Sequence, residues 1–182
     1  MSLTDTHSSL KKILKDNIRS VKDFPKKGIV YKDITPLLND RYLLELTSRM
    51  LAEPFRGHHI DYVAGLESRG FLFGTNLAQD LHAGFIPIRK PKKLPAETVS
   101  VEYKLEYGTD ILEVHTDSIN PGDNVLIHDD LVATGGSSMA ATKLIEKLGG
   151  NIVGYSFVME IEILNGRENL DQTIPFHSIL SV

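Results

Sequence analysis

Cysteine is absent from the 182 residues. That excludes a disulfide framework, a thiolate-ligated zinc and a cysteine nucleophile, and it fits a reducing compartment. No apolar run approaches the roughly 20 residues that a membrane-spanning helix needs. The opening stretch, MSLTDTHSSLKKILKDNIRS, has neither a hydrophobic signal segment nor a cleavage site. Positive charge is in deficit, with 20 Lys and Arg against 24 Asp and Glu and a net charge of −4. A nucleic-acid partner is therefore not expected. The seven histidines, His58-His59 included, show no metal-ligand spacing, so no protein-held metal is expected. The expectation is one soluble, cytoplasmic domain spanning residues 1–182, with no membrane partner.

What the chain does have is an apolar content of 41%, enough for a sizeable core, and a repeated strand–loop–helix pattern. Leu10, Ile13, Leu14 and Ile18 fall at helical spacing. Residues 23–38, broken by Pro25, Gly28 and Pro36, read as irregular with a short β-rich piece. Helices are expected over 40–53, 71–81 and 137–148, and strands over 61–66, 84–88, 125–127 and 152–161. Residues 98–105 and 110–115 alternate as two strands joined through EYGT. The tail, 162–182, is mixed. Two β-loop-α-β units, at 61–88 and 124–161, imply a twisted, mainly parallel sheet flanked by helices. Ligands of such α/β sheets lie at the carboxyl ends of the strands, where the strand order reverses. The loops at 67–70 and 129–137 both fall at that edge and should face one cleft.

The stretch HDDLVATGG, residues 128–136, is the most informative. Ala133, Thr134, Gly135, Gly136 and Ser137 lead into a helix N-terminus, where free N–H groups and the helix dipole favour an anion. Ser138 adds a further hydroxyl. No lysine follows the glycines in the P-loop manner, and GxGxxG is missing. Asp129 and Asp130 would repel a phosphate aimed at them, but ionised carboxylates accept hydrogen bonds. The reading that reconciles both is a ribose-5-phosphate cradle, with phosphate on 133–137 and ribose hydroxyls on the two acids. The plainer alternative, a helix cap at Asp129 and an ordinary glycine turn, explains less of the pattern.

VLIHDDLVATGGS resembles the phosphoribosyl-pyrophosphate (PRPP) motif of type I phosphoribosyltransferases. DFPKKGIVYKDITPLL, YVAGLESRGFLFG, IPIRKPKKLP and YKLEYG resemble, in order, segments of the adenine phosphoribosyltransferase family. The resemblance covers residues 10–170. It implies the type I phosphoribosyltransferase fold with a small N-terminal hood (1–38) and a flexible β-hairpin flap (92–116). It also implies Mg²⁺-dependent conversion of adenine and PRPP to AMP and pyrophosphate, the ion being carried mainly by PRPP, in purine salvage. Departures from the family pattern are His128 at a usually apolar place, Ser137 for a frequent Thr, and Lys32 for a frequent Arg.

Residue by residue, the resemblance makes Glu67, Ser68 and Arg69 a pyrophosphate loop, assisted by Arg89, Lys90 and Lys93. On the residues alone, Arg69 could instead be a surface partner of Glu67. Arg89 is implied to reach the neighbouring subunit's site, hence a homodimer. Phe24, Val30, Lys32 and Leu131 are implied to bind adenine. Glu106 is the implied catalytic acid, with Arg69 beside the leaving group, and Tyr107 is a flap residue. Two alternatives stay open: a transferase of the same fold for guanine, hypoxanthine, xanthine or orotate, and a non-catalytic PRPP-sensing regulator.

Overall fold

The computed structural model describes residues 3–104 and 108–182. The chain divides into two compact units, Met1–Met50 and Leu51–Val182.

The first unit holds α1 (Leu3–Asp16), the strands β1 (Arg19–Lys22) and β2 (Val30–Asp33), α2 (Thr35–Asn39) and most of α3 (Arg41–Ala52). β1 and β2 pair antiparallel from Arg19↔Asp33 to Lys22↔Val30. Between them Gly28 takes φ +91° and donates its N–H to Asp23 Oδ1 at 2.7 Å, a turn that suits glycine. β1 falls between the helical spacing that ends at Ile18 and the irregular stretch 23–38, where the sequence pattern suggests no element, and α2 begins inside that stretch. RSVK offers one apolar residue to an alternation signal. Pro36 marks the first turn of α2 rather than a break, because the first helical N–H groups need no partner within the helix. Asp40 caps α3 by accepting the Leu43 N–H at 2.9 Å.

The second unit is built on a five-stranded sheet, comprising β3 (Tyr62–Leu66), β4 (Gly84–Ile88), β7 (Asn124–Val132), β8 (Asn151–Glu160) and β9 (Phe176–Ser181). Between β4 and β7 comes a hairpin of β5 (Thr98–Lys104) and β6 (Thr109–His115). The sheet order is β4-β3-β7-β8-β9, every pairing parallel. This meets the expectation of a parallel sheet flanked by helices, here α4 (Gly70–Asp80) and α5 (Gly136–Lys147). Val63, Ala64 and Leu66 of β3, Val125 to Ile127 of β7 and Phe157 to Met159 of β8 are all buried. Continuous apolar runs of this kind mark strands covered on both faces.

Two strands differ from the sequence reading. β7 does not stop at Ile127 but runs to Val132, because β8 keeps offering partners, with Asp129 opposite Phe157 and Leu131 opposite Met159. The acid pair is therefore on the strand, not in a loop after it. β9 emerges from the mixed tail as an edge strand, entered after Pro175, whose carbonyl accepts the Tyr155 N–H at 2.8 Å. The hairpin β5–β6 is as expected, in register from Thr98↔His115 to Lys104↔Thr109. Val101, Leu112 and Val114 join the main core with Ala140, Ala141 and Leu144 of α5.

Candidate active site

The chain leaves β3, visits β4 on one side of it, then returns through β7 on the other. The order reverses between β3 and β7, so their carboxyl ends diverge into a crevice. A cleft of about 340 Å³ lies there, lined by Glu67, Ser68, Arg69, Asp129, Asp130 and Leu131. The loop after β3 and the end of β7 thus meet, as the pattern of the two units suggested.

The loop after β3 enters α4 at Gly70, and a side chain at that position would meet the His128 carbonyl oxygen at 2.9 Å and the Asp129 Cα at 3.2 Å. Only glycine lets α4 start this close to β7. The Glu67–Ser68 peptide is cis. Arg69 turns to the acid pair, with Nε 3.2 Å from Asp130 Oδ2. The alternative in which Arg69 pairs with Glu67 is not the one found among these ion pairs.

Glu67 instead gathers the basic loop. Its Oε2 accepts the Arg89 Nε at 3.2 Å and the Lys90 N–H at 2.8 Å, and Oε1 accepts Lys93 Nζ at 2.7 Å. Burial pushes its carboxyl up, but the bonds from Lys93, Lys90 and Arg89 outweigh it and leave the pKa below the usual glutamate range. Arg89 and Lys93 are thereby held beside the cleft. The Lys90 ammonium departs from this group. It pairs with Asp110 and donates to the Tyr103 hydroxyl at 3.1 Å, both on the hairpin. Burial lowers its pKa, but Asp110 and Tyr103 raise it further, so it stays charged. Main-chain bonds between Arg89 and Glu113, at 2.9 and 2.7 Å, fasten the same loop to β6.

Asp130 is 2% exposed and Asp129 half-buried. The Asp130 N–H donates to Asp129 Oδ1 at 2.9 Å. Burial, reinforced by the Asp130 charge, pushes Asp129 well above the usual carboxylate range. Burial also raises Asp130, opposed by Arg69. Two carboxyls this close resist carrying two full charges, and a ligand bringing hydroxyl donors would relieve both.

Beyond β7, Ala133 and Thr134 lead to Gly135, which takes φ +78° immediately before α5. The helix begins when its carbonyl accepts the Met139 N–H at 2.9 Å. Gly136 and Ser137 are half-buried in the first turn, their N–H groups at the end that favours an anion. Ser138, in the same turn, is 1% exposed.

The four residues expected to hold the base fall apart in the chain. Leu131 lines the cleft. Phe24, Val30 and Lys32 belong to the first unit, where Phe24 is 50% and Val30 49% exposed. Phe24 packs edge-on against Tyr31 with ring centres 5.1 Å apart, and Lys32 Nζ donates to Ser20 Oγ at 3.2 Å. Glu106 and Tyr107 lie outside the described residues. Sequence reasoning missed Asp110 and Tyr103 as holders of Lys90. It also missed a short 3₁₀ turn, Gly166–Asn169, that backs the anion loop. The tail offered no periodicity by which to find the turn.

A model of the phosphoribosyl transferase domain matches residues 37–167. The adenine phosphoribosyltransferase of Flavobacterium johnsoniae is 54% identical over 159 residues, covering 87% of this chain and 94% of that one. That of Halothermothrix orenii is 53% identical over 158 residues, 87% and 93% of the two chains. Among solved structures, adenine phosphoribosyltransferase from Rhodothermus marinus matches with a TM-score of 0.93 at 48% identity, covering 96% of this chain and 99% of that one. The Saccharomyces cerevisiae enzyme, complexed with an imino-altritol bisphosphate and adenine, matches at 0.89 and 41% identity over 95% and 99%. A parallel sheet that opens between an arginine-bearing loop and an acid pair followed by an anion loop is the type I phosphoribosyltransferase fold, and with these likenesses the chain belongs to the adenine phosphoribosyltransferase family.

Proposed function

We propose that this chain transfers the 5-phosphoribosyl group of PRPP to N9 of adenine, giving AMP and pyrophosphate. The observation that carries the reading is the cleft between β3 and β7. One wall carries Arg69 with Arg89 and Lys93 nearby, the other an acid pair leading into a glycine-bearing helix start. A substrate with a diphosphate at one end, ribose hydroxyls in the middle and a monophosphate at the other matches that order.

In the reaction the bond from C1′ to the diphosphate oxygen breaks, N9 bonds to C1′ with inversion, and the purine loses a proton. The Glu67–Arg69 main chain, the Ser68 hydroxyl and the Arg69, Arg89 and Lys93 side chains receive the diphosphate. The Glu67 carboxylate orients Arg89 and Lys93, and the Lys90 ammonium, held by Asp110 and Tyr103, ties the basic loop to the hairpin. Asp129 and Asp130 accept the ribose hydroxyls and lie near the developing positive charge. Residues Ala133 to Ser137 hold the 5′-phosphate. Phe24, Val30, Lys32 and Leu131 seat adenine, with the Lys32 main chain reading its edge because the side chain is engaged with Ser20. Glu106 exchanges the proton at N7, and Tyr107 covers the ribose as the flap closes against water. Most of the acceleration comes from positioning and charge.

Among the described residues no group of three His, Asp or Glu could hold a metal ion. Of the three carboxylates lining the cleft, Glu67 is taken up by Arg89, Lys90 and Lys93, which leaves the Asp129–Asp130 pair and fits Mg²⁺ arriving on the substrate's phosphate oxygens. When bound, the ion offsets charge on the leaving diphosphate. We further propose a cytoplasmic homodimer.

The test is a product assay with PRPP, Mg²⁺ and equimolar adenine, hypoxanthine, guanine and xanthine. AMP as the dominant product, lost on omitting Mg²⁺, is expected. Another nucleotide would overturn the base assignment and keep the cradle. PRPP binding without any product would replace the enzyme with a regulator.

A further inference from the structure

The anion loop does not stand by itself. Asn165 takes a left-handed conformation, φ 50°, and turns the chain into the 3₁₀ turn Gly166–Asn169. Gly166 is buried directly against the loop. A Cβ there would collide with the Ala133 carbonyl oxygen, and would lie 2.8 Å from the Ala133 carbonyl carbon and 2.9 Å from the Gly135 nitrogen. Conversely, a Cβ on Gly135 would collide with the Gly166 carbonyl oxygen. The two backbones touch with no room for a side chain on either. Asn169 closes the contact by donating from Nδ2 to the Thr134 carbonyl oxygen at 2.9 Å.

The turn is anchored at both ends. The Ile161 N–H donates to the Val132 carbonyl at 3.0 Å, just before the loop begins. Leu170 is 6% exposed within the main core, and Gln172 Nε2 donates to the Arg167 carbonyl at 2.7 Å and the Leu170 carbonyl at 2.8 Å. A loop whose N–H groups must all point one way has its carbonyls pointing the other, and those carbonyls need a partner. Asn169 supplies it at Thr134.

We infer that Gly166 and Asn169 are positioning residues for the 5′-phosphate of PRPP, holding the 133–135 backbone so that its N–H groups converge on the anion. The inference rests on the cradle reading of that loop. Neither residue touches substrate. They act by fixing the peptide planes of residues that do.

The experiment compares Asn169→Ala, Asn169→Asp and Gly166→Ala with the unaltered enzyme. It measures steady-state kinetics in PRPP and in adenine, and calorimetric binding of ribose 5-phosphate and of pyrophosphate. Asn169→Ala removes one hydrogen bond, so KM for PRPP should rise about 3- to 10-fold. Its kcat, its KM for adenine and its pyrophosphate affinity should hold within about two-fold, the margin for a residue making no other polar contact in the site. Asn169→Asp, an acceptor facing an acceptor, should weaken ribose 5-phosphate binding more than Ala does while pyrophosphate affinity holds; a merely structural role would lower both affinities together. Gly166→Ala should weaken ribose 5-phosphate binding most; if it fails to fold, the two Asn169 variants decide the matter alone. Unchanged ribose 5-phosphate binding in both Asn169 variants, or equal loss for pyrophosphate, would overturn the inference. A Thr134→Pro variant, which deletes a loop N–H, separates the two levels. If it too leaves ribose 5-phosphate binding unchanged, the cradle reading falls. If it alone weakens binding, the cradle stands and the brace falls.

Discussion

His128 is wholly buried in the strand that carries the acid pair, its Nδ1 3.0 Å from the Ser156 carbonyl oxygen. Burial lowers its pKa to about 4 against the smaller, raising effect of that bond. The imidazole is therefore neutral with the proton on Nδ1. Since the unfolded chain takes up a proton below about pH 6.5 and the folded chain does not, its contribution is complete above that value. It falls as pH drops, levelling near the folded pKa. Across that window the loss should approach about 3 kcal/mol. Urea unfolding of the His128→Val variant at pH 7 and 4.5 should show a shallower pH dependence than the parent; equal slopes would remove the assignment. At Asp130 the expectation is catalytic. Asp130→Asn removes the charge paired with Arg69 and a hydrogen-bond acceptor for ribose, so KM for PRPP should rise by about ten-fold or more, the weight of a charge-assisted bond. Circular dichroism should stay native. Unchanged saturation curves would detach the ribose from this residue.

Among the elements, the start of α4 matters most, because it sets Arg69 against β7. The atoms a methyl group at Gly70 would strike are mostly backbone, the His128 oxygen and the Asp129 Cα, which cannot rotate away. Gly70→Ala should destabilise the fold by about 1–3 kcal/mol, the usual range for overpacking. It should also lower kcat/KM for PRPP, readable by denaturant titration alongside kinetics; a variant with parental stability and activity would contradict the close approach. The hairpin is the other element that bears on chemistry. Its two strands pack their apolar alternates on α5 and grip Lys90 through Tyr103 and Asp110, so the basic loop is tied to the hairpin. The catalytic acid proposed between those strands is tested by Glu106→Gln, which should slow turnover about 10²- to 10⁴-fold with PRPP affinity retained. Full turnover would reduce Glu106 to a covering residue.

For the whole molecule, the proposed dimer makes a sharper claim than mass alone. Within this chain Arg89 already has a partner, Glu67. If Arg89 completes the neighbour's site rather than its own, Arg89→Ala and Glu106→Gln subunits, each nearly inactive, should recover about a quarter of parental activity after mixing and exchange, since half the dimers would be hybrids with one intact site. No recovery, with sedimentation showing that dimers exchanged, would confine Arg89 to its own subunit.

The pattern of residues determined a good deal by itself. Apolar runs with helices between them specify a parallel sheet, because strands covered on both faces leave no alternation to satisfy. The adjacent acids and glycines of 129–136 mark their loop because few uses require both carboxylates and a bare backbone at a helix start. Alternation gave the hairpin. Short or edge segments were not legible. β1 and β9 exist because a partner strand supplies their hydrogen bonds, and the extension of β7 through Asp129 and Asp130 depends on β8 lying alongside. The pairing of charges was likewise decided in three dimensions. Nothing local tells Glu67 to take Arg89 and Lys93, Arg69 to take Asp130, or Lys90 to leave for Asp110, since all are distant in the chain and Coulomb attraction selects only among groups the fold has already brought near. The same holds for Gly166 and Asn169. Their residue types are ordinary in a turn, and only the backing of one backbone on another gives them a task.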